Sequence, residues 1–134
     1  MKKCILLFLS AILFSIGSYA QTNITGSFTA NTTLTEANSP YTIVNSIDIN
    51  AGVTVTIEKN VIIKFNSGRY LQVFGTLNAK GVLFTANSST AKGFWDGIYV
   101  SYEGSASVGN VNLDSCTVEY AGNLYVRKGQ LTLK

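Results

Sequence analysis

Short runs in which apolar and polar side chains alternate fill the middle of this chain, from residue 50 to residue 84. In one of them Val53, Val55 and Ile57 alternate with threonines, and similar alternation continues through 61–65, 71–73 and 82–84. A period of two residues, rich in β-branched and aromatic side chains, is typical of β-strands that bury one face. The pattern predicts a series of short strands with one inward face.

Runs of the same kind continue to the end of the chain, and the stretches that separate them are short. The runs lie at 41–49, 53–57, 61–65, 70–74, 76–78, 81–86, 97–101, 108–113, 116–120, 124–127 and 130–133. Glycine and asparagine dominate the separators, and both residues tolerate the positive φ that tight corners need. Because no long segment shows a helical period, we expect an all-β protein.

Equal spacing between apolar pairs indicates which all-β architecture to expect. Three pairings are spaced by 20 residues: Ile98/Val100 with Val118/Tyr120, Val111/Leu113 with Leu131/Leu133, and Ile57 with Leu77. Such spacing favours a solenoid, in which each coil buries its inward residues on its neighbours. The alternative is a β-sandwich, which would need hairpin turns between paired strands. The one Asp-Gly pair, Asp96-Gly97, precedes a predicted strand, but no comparable strand comes directly before it, so it does not predict a hairpin.

The first twenty residues have the pattern of a secretory signal peptide. Lys2 and Lys3 precede an apolar run at 4–16, and small residues precede a cleavage site after Ala20. Cleavage would lower the net charge from +3 to about +1 by removing both lysines. The remaining basic residues are scattered, so we do not expect nucleic-acid binding. The alternative to a signal peptide is an N-terminal membrane anchor, but the apolar run is well short of the ~20 residues that a spanning helix needs, so we expect no membrane span in the mature chain.

Two further segments complete the predicted organisation. Residues 21–40 are polar and end at the only proline, so they predict an extended lead-in or an N-terminal cap over the first coil. Residues 41–134 then form the coils. Cys116 is the only cysteine left after cleavage, which excludes an internal disulfide, and its apolar neighbours favour a small buried core residue over a reactive thiol.

The ordered motifs at 41–65, 71–81, 82–85 and 93–100 resemble the opening coils of secreted bacterial right-handed parallel β-helix proteins of the pectate-lyase-like kind. The resemblance implies a right-handed parallel β-helix with few coils. It departs at Lys59-Asn60, where the pattern usually has Pro-Gly, and at residues 131–134, where the chain stops inside a strand. We therefore expect an incomplete solenoid, or, if this is the full length, self-association through the uncapped coil end.

The residues available for catalysis are few. The chain has no histidine, and its seven acidic residues form no Asp-x-Asp ligand pattern. Stacking could bring Asp96 near Asp114, or Glu103 near Glu119, but solvated outward charges are the simpler interpretation. Polysaccharide lyases of this fold use clustered acids and calcium, yet none of their catalytic residues can be placed on this sequence. We predict no catalytic residue, no metal site and no cofactor.

A binding surface is the more plausible chemistry. Trp95, Tyr99 and Tyr102 lie close in sequence, and alternation places Tyr99 opposite to the inward Ile98 and Val100. Exposed aromatic rings stack on the apolar faces of sugars. The alternative is purely structural packing, with Trp95 covering a corner of its coil.

These observations predict an exported, non-catalytic β-helix segment of a bacterial extracellular or outer-membrane-associated surface protein. Its role would be adhesive or glycan-contacting, with a polysaccharide or surface glycan as partner. The alternative functions are the N-terminal part of a β-helix polysaccharide lyase or glycoside hydrolase whose active residues lie beyond Lys134, and a purely structural stalk.

Overall fold

The computed structural model of the protein describes residues 20–102 and 104–134. Its strands are β1 (Thr22–Ile24), β2 (Thr32–Leu34), β3 (Tyr41–Ile43), β4 (Ile47–Ile49), β5 (Thr54–Ile57), β6 (Ile62–Phe65), β7 (Tyr70–Val73), β8 (Thr76–Lys80), β9 (Leu83–Ala86), β10 (Trp95–Val100), β11 (Gly109–Asp114), β12 (Thr117–Val118), β13 (Ala121–Val126) and β14 (Gly129–Leu133). A single turn of 3-10 helix at Glu36–Asn38 is the one helical element in these residues. The predicted signal peptide lies almost wholly outside the described residues.

The strands form three parallel sheets, and the chain visits them in turn. Sheet A has the order β1-β3-β6-β9-β12, sheet B has β4-β7-β10-β13, and sheet C has β2-β5-β8-β11-β14. Every strand pairing among the described residues is parallel, and each strand pairs with the equivalent strand of the next coil. The prediction of an all-β parallel solenoid is confirmed, with about five coils.

The register between coils confirms one of the three equal spacings and corrects two. Val111 and Leu113 do pair with Leu131 and Leu133. Ile57, however, pairs with Ala79, because this step is two residues longer than predicted. The third spacing fails more widely, since Ile98 lies on Leu71 and Leu124 in sheet B, whereas Val118 lies on Phe84 in sheet A.

A long connection explains why the third spacing fails, because the loop between β10 and β11 lies between Ile98 and Val118. The fourth coil has long loops between β9 and β10 and between β10 and β11, where earlier coils have short corners. Loop length costs little free energy once a loop is flexible, so a solenoid accommodates such insertions without losing its stacked strands. Residues that are equally spaced in sequence therefore need not lie in the same sheet.

The core is a column of inward side chains enclosed by the three sheets. Val55, Leu77 and Val111 follow one another through sheet C, and all three are buried. Corners between strands carry positive φ at Gly52 and at Asn60, where φ is 67°. Asn60 thus makes the turn at the site where the resembling pattern has Pro-Gly.

Residues 21–40 form the first coil of the solenoid, whereas the sequence predicts an extended lead-in or a cap over the first coil. β1 pairs with β3, β2 pairs with β5, and Phe28 makes a parallel bridge with Ile49 of sheet B. Leu34 in this segment is buried in the core. The 3-10 turn that follows β2 then leads the chain back to sheet A.

The last coil is the least covered part of the column. Leu124 and Leu133 are 38% and 62% exposed, although they continue the rows of Ile98 and Leu113, which are 0% and 4% exposed. Cys116, at the start of this coil, is a free thiol of intermediate burial that packs against the core. Its sulfur donates to the carbonyl of Ala79 at 3.4 Å. Its intermediate burial is lower than the buried core position that the sequence predicts.

Candidate functional site

The outer face of sheet B carries a straight row of side chains that runs from coil to coil. Register places Asp48 beside Gln72, Gln72 beside Tyr99, and Tyr99 beside Tyr125. Tyr99 points outward because its neighbours Ile98 and Val100 are fully buried, as the sequence predicts. The row therefore follows the axis along which the coils stack.

Aromatic rings occupy this face on three successive coils. Tyr70, Tyr99 and Tyr125, which we call the tyrosine row, lie on β7, β10 and β13. The ring centroids of Tyr70 and Tyr99 are 5.7 Å apart with planes at 78°, and those of Tyr99 and Tyr125 are 6.3 Å apart with planes at 35°. Both geometries are within the range of favourable aromatic pairs.

Gly97 makes room for this packing. It lies two residues before Tyr99 on β10 and pairs with Tyr70 on one side and with Asn123 on the other, so no side chain stands between Tyr70 and Tyr99, which are diagonal neighbours. A β-carbon at Gly97 would lie 1.8 Å from the carbonyl oxygen of Asn123, and φ at this residue is 127°. Only glycine allows β13 to approach β10 here.

A second aromatic pair lies at the other end of the strands. Tyr102 meets Phe74 edge to face, with centroids 5.4 Å apart, and Tyr102 is 49% exposed. Its position depends on Ser101, which has φ of 52° and ends the regular strand. The buried hydroxyl of Ser101 accepts from the backbone N–H of Gly109 at 3.0 Å and donates to the carbonyl of Ser107 at 3.1 Å.

An open groove of about 310 Å³ separates the two groups of aromatic rings. It is lined by Tyr70, Gln72, Asp96, Tyr99, Ser101, Tyr102 and Arg127. The guanidinium carbon of Arg127 lies 4.9 Å from the ring centroid of Tyr125, within range of a cation–π contact. The groove thus combines aromatic surface with an amide, a carboxylate and a guanidinium.

A second groove, of about 270 Å³, lies on the outer face of sheet C and differs in chemistry. Its residues include Thr56, Asn78, Asn112 and Thr132, which follow one another by register, and it has no aromatic ring. The amide of Asn112 donates to that of Asn78 at 2.8 Å. Because two amides of this second groove already bond to each other and it offers no aromatic surface, the sheet B groove is the better candidate site.

Of the three aromatic residues predicted from the sequence, the structure brings two to the groove. Tyr99 and Tyr102 line it, whereas Trp95 is 0% exposed. The indole N–H of Trp95 donates to the carbonyl of Glu119 at 2.7 Å, inside the solenoid. A stacking role for Trp95 is therefore wrong, and the structural alternative describes it correctly.

Tyr70, Gln72, Asp96 and Arg127 were not recognisable from the sequence as part of this groove. Tyr70 meets Tyr99 only through the pairing of β7 with β10, which the predicted spacing of 20 residues does not give. Arg127 reaches the groove through the pairing of β10 with β13. The one available signal was Tyr125, an aromatic residue on a later coil at the same kind of outward position.

Of the two pairings of acidic residues considered from the sequence, the structure can test one. Asp96 is on sheet B and Asp114 on sheet C, so the pairing considered for them does not occur, and Glu103 lies outside the described residues. Among residues 20–102 and 104–134, no cluster of three or more His, Cys, Asp and Glu side chains is placed to hold a metal. Asp114 instead pairs with Lys80 at 3.1 Å.

Two carboxyl groups have displaced pKa values, in opposite directions. Partial burial raises the pKa of Asp48 above 3.8, because desolvation disfavours the charged form. The pKa of Asp114 is lowered, first by the hydroxyl of Ser115, which donates to it at 2.9 Å, and then by Lys80.

Comparison of the chain with protein-family models, with curated proteins and with solved structures gives no match. Within the described residues, no helix has the length and apolarity required to cross a membrane.

Proposed function

We propose that this chain is an exported, non-catalytic β-solenoid segment with an adhesive role, and that it contacts glycans through the outer face of sheet B. Export is supported by the signal-peptide pattern of residues 1–20. The glycan contact is supported by one observation above all, which is the tyrosine row on three successive coils beside an open groove.

The tyrosine row suits sugars for a physical reason. A tyrosine side chain offers a large planar surface with only two rotatable bonds, so it loses little entropy when a ligand covers it. The C–H faces of a pyranose ring are apolar, and burial of apolar surface is favourable by about 25 cal/mol per Å². Gln72, Asp96 and Arg127 in the same groove can exchange hydrogen bonds with hydroxyl groups at the edge of the sugar.

The aromatic contacts also stabilise the sheet, and the proposal does not require otherwise. Cross-strand aromatic pairs contribute about 0.2–1 kcal/mol each to a sheet. Such pairs do not need exposure, yet Tyr102 and Tyr125 are 49% and 43% exposed. Large aromatic side chains gathered on one exposed face are characteristic of binding surfaces.

A glycan array tests the proposal with four proteins: wild type, Tyr99→Ala, Tyr99→Phe and Asn112→Ala. Tyr99→Ala removes the central ring and should weaken binding about tenfold or more, whereas Tyr99→Phe keeps the ring and should bind nearly as wild type. Asn112→Ala, on the outer face of sheet C, controls for nonspecific effects. Absence of binding to every glycan, or equal binding by Tyr99→Ala and wild type, would refute the proposal.

A further inference from the structure

The outer face of sheet C carries two lines of side chains that run from coil to coil. Between the lines the inner residues Val55, Leu77 and Val111 are buried, whereas every residue of the two lines is exposed or half-buried. We call the two lines together the threonine-amide array. By register, its first line is Thr54, Thr76, Asn110 and Gln130, and its second line is Thr33, Thr56, Asn78, Asn112 and Thr132.

Every member of the array is a threonine or carries a side-chain amide, and none is charged. Strand preference does not account for this composition, because threonine is common in strands but asparagine is depleted. The other two outer faces carry charges, for example Asp48 on sheet B and Lys64 on sheet A. On sheet C, Lys80 and Asp114 pair at 3.1 Å at the next position along the strands, across the groove of about 270 Å³. The array is therefore an uncharged band, two side chains wide.

We infer that the threonine-amide array binds the surface of ice crystals. Neighbouring parallel strands lie about 4.8 Å apart, and residues two apart on one strand are separated by about 6.6 Å. The members of the array thus stand on a nearly rectangular grid. Oxygen atoms on a prism face of hexagonal ice also repeat on a rectangular grid, with similar dimensions. Water bound to the array can therefore occupy positions of the crystal.

This spacing is common to parallel sheets, and the side chains at the grid points are what make it suitable for ice. Threonine presents a hydroxyl and a methyl group, and its branched β-carbon restricts χ1. The amide of Asn112 donates to that of Asn78 at 2.8 Å, so these two side chains are also held in place. Because the side chains are ordered before they meet a ligand, binding costs little further side-chain entropy.

The lack of charge on these residues fits the same ligand. Ice has no net charge, and a charged side chain orients a hydration shell that does not match the lattice. Removing that shell costs free energy, whereas hydroxyl and amide groups can donate and accept hydrogen bonds within the lattice. Each contact is weak, but the second line extends over about 19 Å, or four strand spacings, so many contacts form together.

Thermal hysteresis, and the partition of the labelled protein into growing ice, test the inference. Wild type should hold the freezing point below the melting point and should be taken up by the ice. Thr56→Lys places a charge within the array and should lose most of both effects, as should Asn112→Lys. Thr117→Lys makes the same change at an exposed position of β12 on sheet A and should keep both effects. Circular dichroism and thermal melting of each variant would exclude unfolding as the cause.

The inference concerns a different face from the proposed glycan contact, so the two proposals fail separately. A wild type with neither effect on ice, or full activity in a folded Thr56→Lys or Asn112→Lys protein, would overturn the inference. A loss in Thr117→Lys as large as that in Thr56→Lys would overturn it too. If wild type is inactive toward ice and Thr56→Lys converts an oligomer into a monomer, the array is an interface between copies and the inference is wrong.

Discussion

The indole ring of Trp95 lies flat against the phenyl ring of Phe65, with centroids 3.9 Å apart and planes within 6° of parallel. Both residues are 0% exposed, and they come from different sheets, since Phe65 ends β6 of sheet A and Trp95 begins β10 of sheet B. The contact therefore joins two walls of the solenoid across its interior. It also explains why an aromatic residue that seemed suited to ligand binding is absent from the surface.

Truncation of this contact should be among the most damaging single changes in the chain. We expect Trp95→Ala to lower the free energy of unfolding by about 3–5 kcal/mol, because it leaves a large cavity. It also leaves the carbonyl of Glu119 without its indole donor. Urea unfolding followed by circular dichroism gives the measurement, with Tyr102→Ala, at a 49% exposed site, as the control. Equal losses for the two variants would contradict the buried position of Trp95.

Gly97 should tolerate no side chain, for reasons of both φ and space. Gly97→Ala places a β-carbon against the carbonyl of Asn123, which lies on the neighbouring strand, and keeps φ in the left-handed half of the map. We expect a loss of at least about 3 kcal/mol in unfolding free energy. Gly52→Ala separates the two causes, because Gly52 has φ of 79° but open space around it. Its expected loss is only about 1–2 kcal/mol.

A Gly97→Ala protein as stable as Gly52→Ala would show that β10 and β13 do not approach as closely as described. Hydrogen exchange would locate the damage. Faster exchange should be confined first to β13, whose pairing with β10 passes through Gly97.

Local features of this fold could be predicted from the sequence, and long-range ones could not. Alternation is a property of a single strand, so Tyr99 was correctly placed outward between Ile98 and Val100. The turn at Asn60 was also recognisable locally, because asparagine tolerates the positive φ that a tight corner needs. By contrast, the pairing of Ile98 with Leu124 depends on how many residues the intervening loops contain. Nothing in the strand pattern limits that number.

The same distinction explains the candidate site. Two of its aromatic residues, Tyr99 and Tyr102, are neighbours in sequence and were predicted together. Tyr70 and Arg127 belong to the preceding and the following coils, so only the register brings them to the groove. Structural packing of Trp95 was one of the two alternatives from the sequence, but its partner could not be identified, because Phe65 comes from another sheet.

A protein that consists of residues 21–134 alone exposes apolar side chains on its last coil, and we expect this fragment to self-associate. β12, β13 and β14 each have one unpaired edge in the described residues, and Leu124, Val126 and Leu133 are 38–62% exposed. A second copy presents the same apolar surface and the same strand edges, so a twofold contact would cover both.

Light scattering over a range of concentrations would measure this association. We expect a mass close to that of a dimer, shifted toward the monomer by Leu133→Lys, which places a charge in the contact. Thr33→Lys is the control, because it adds the same charge to an exposed site on β2, at the opposite end of sheet C from β14. A monomer at all concentrations would rule out the contact.

Asp48 and Asp114 should give opposite pH effects on stability. The pKa of Asp48 is raised by burial, so its contribution to stability is present below pH 3.8 and is lost as the pH rises through its folded pKa. Asp48→Asn removes that loss and should raise the melting temperature at pH 7 by on the order of 1 °C, with little effect near pH 3.

The pKa of Asp114 is lowered, so its contribution is present above pH 3.8 and is lost as the pH falls through its folded pKa. Asp114→Asn should therefore lower the melting temperature at pH 7 and have no effect in acid. Melting curves from pH 3 to pH 8 would measure both variants, and a shift of the same sign in the two at pH 7 would contradict the environments described for these carboxyl groups.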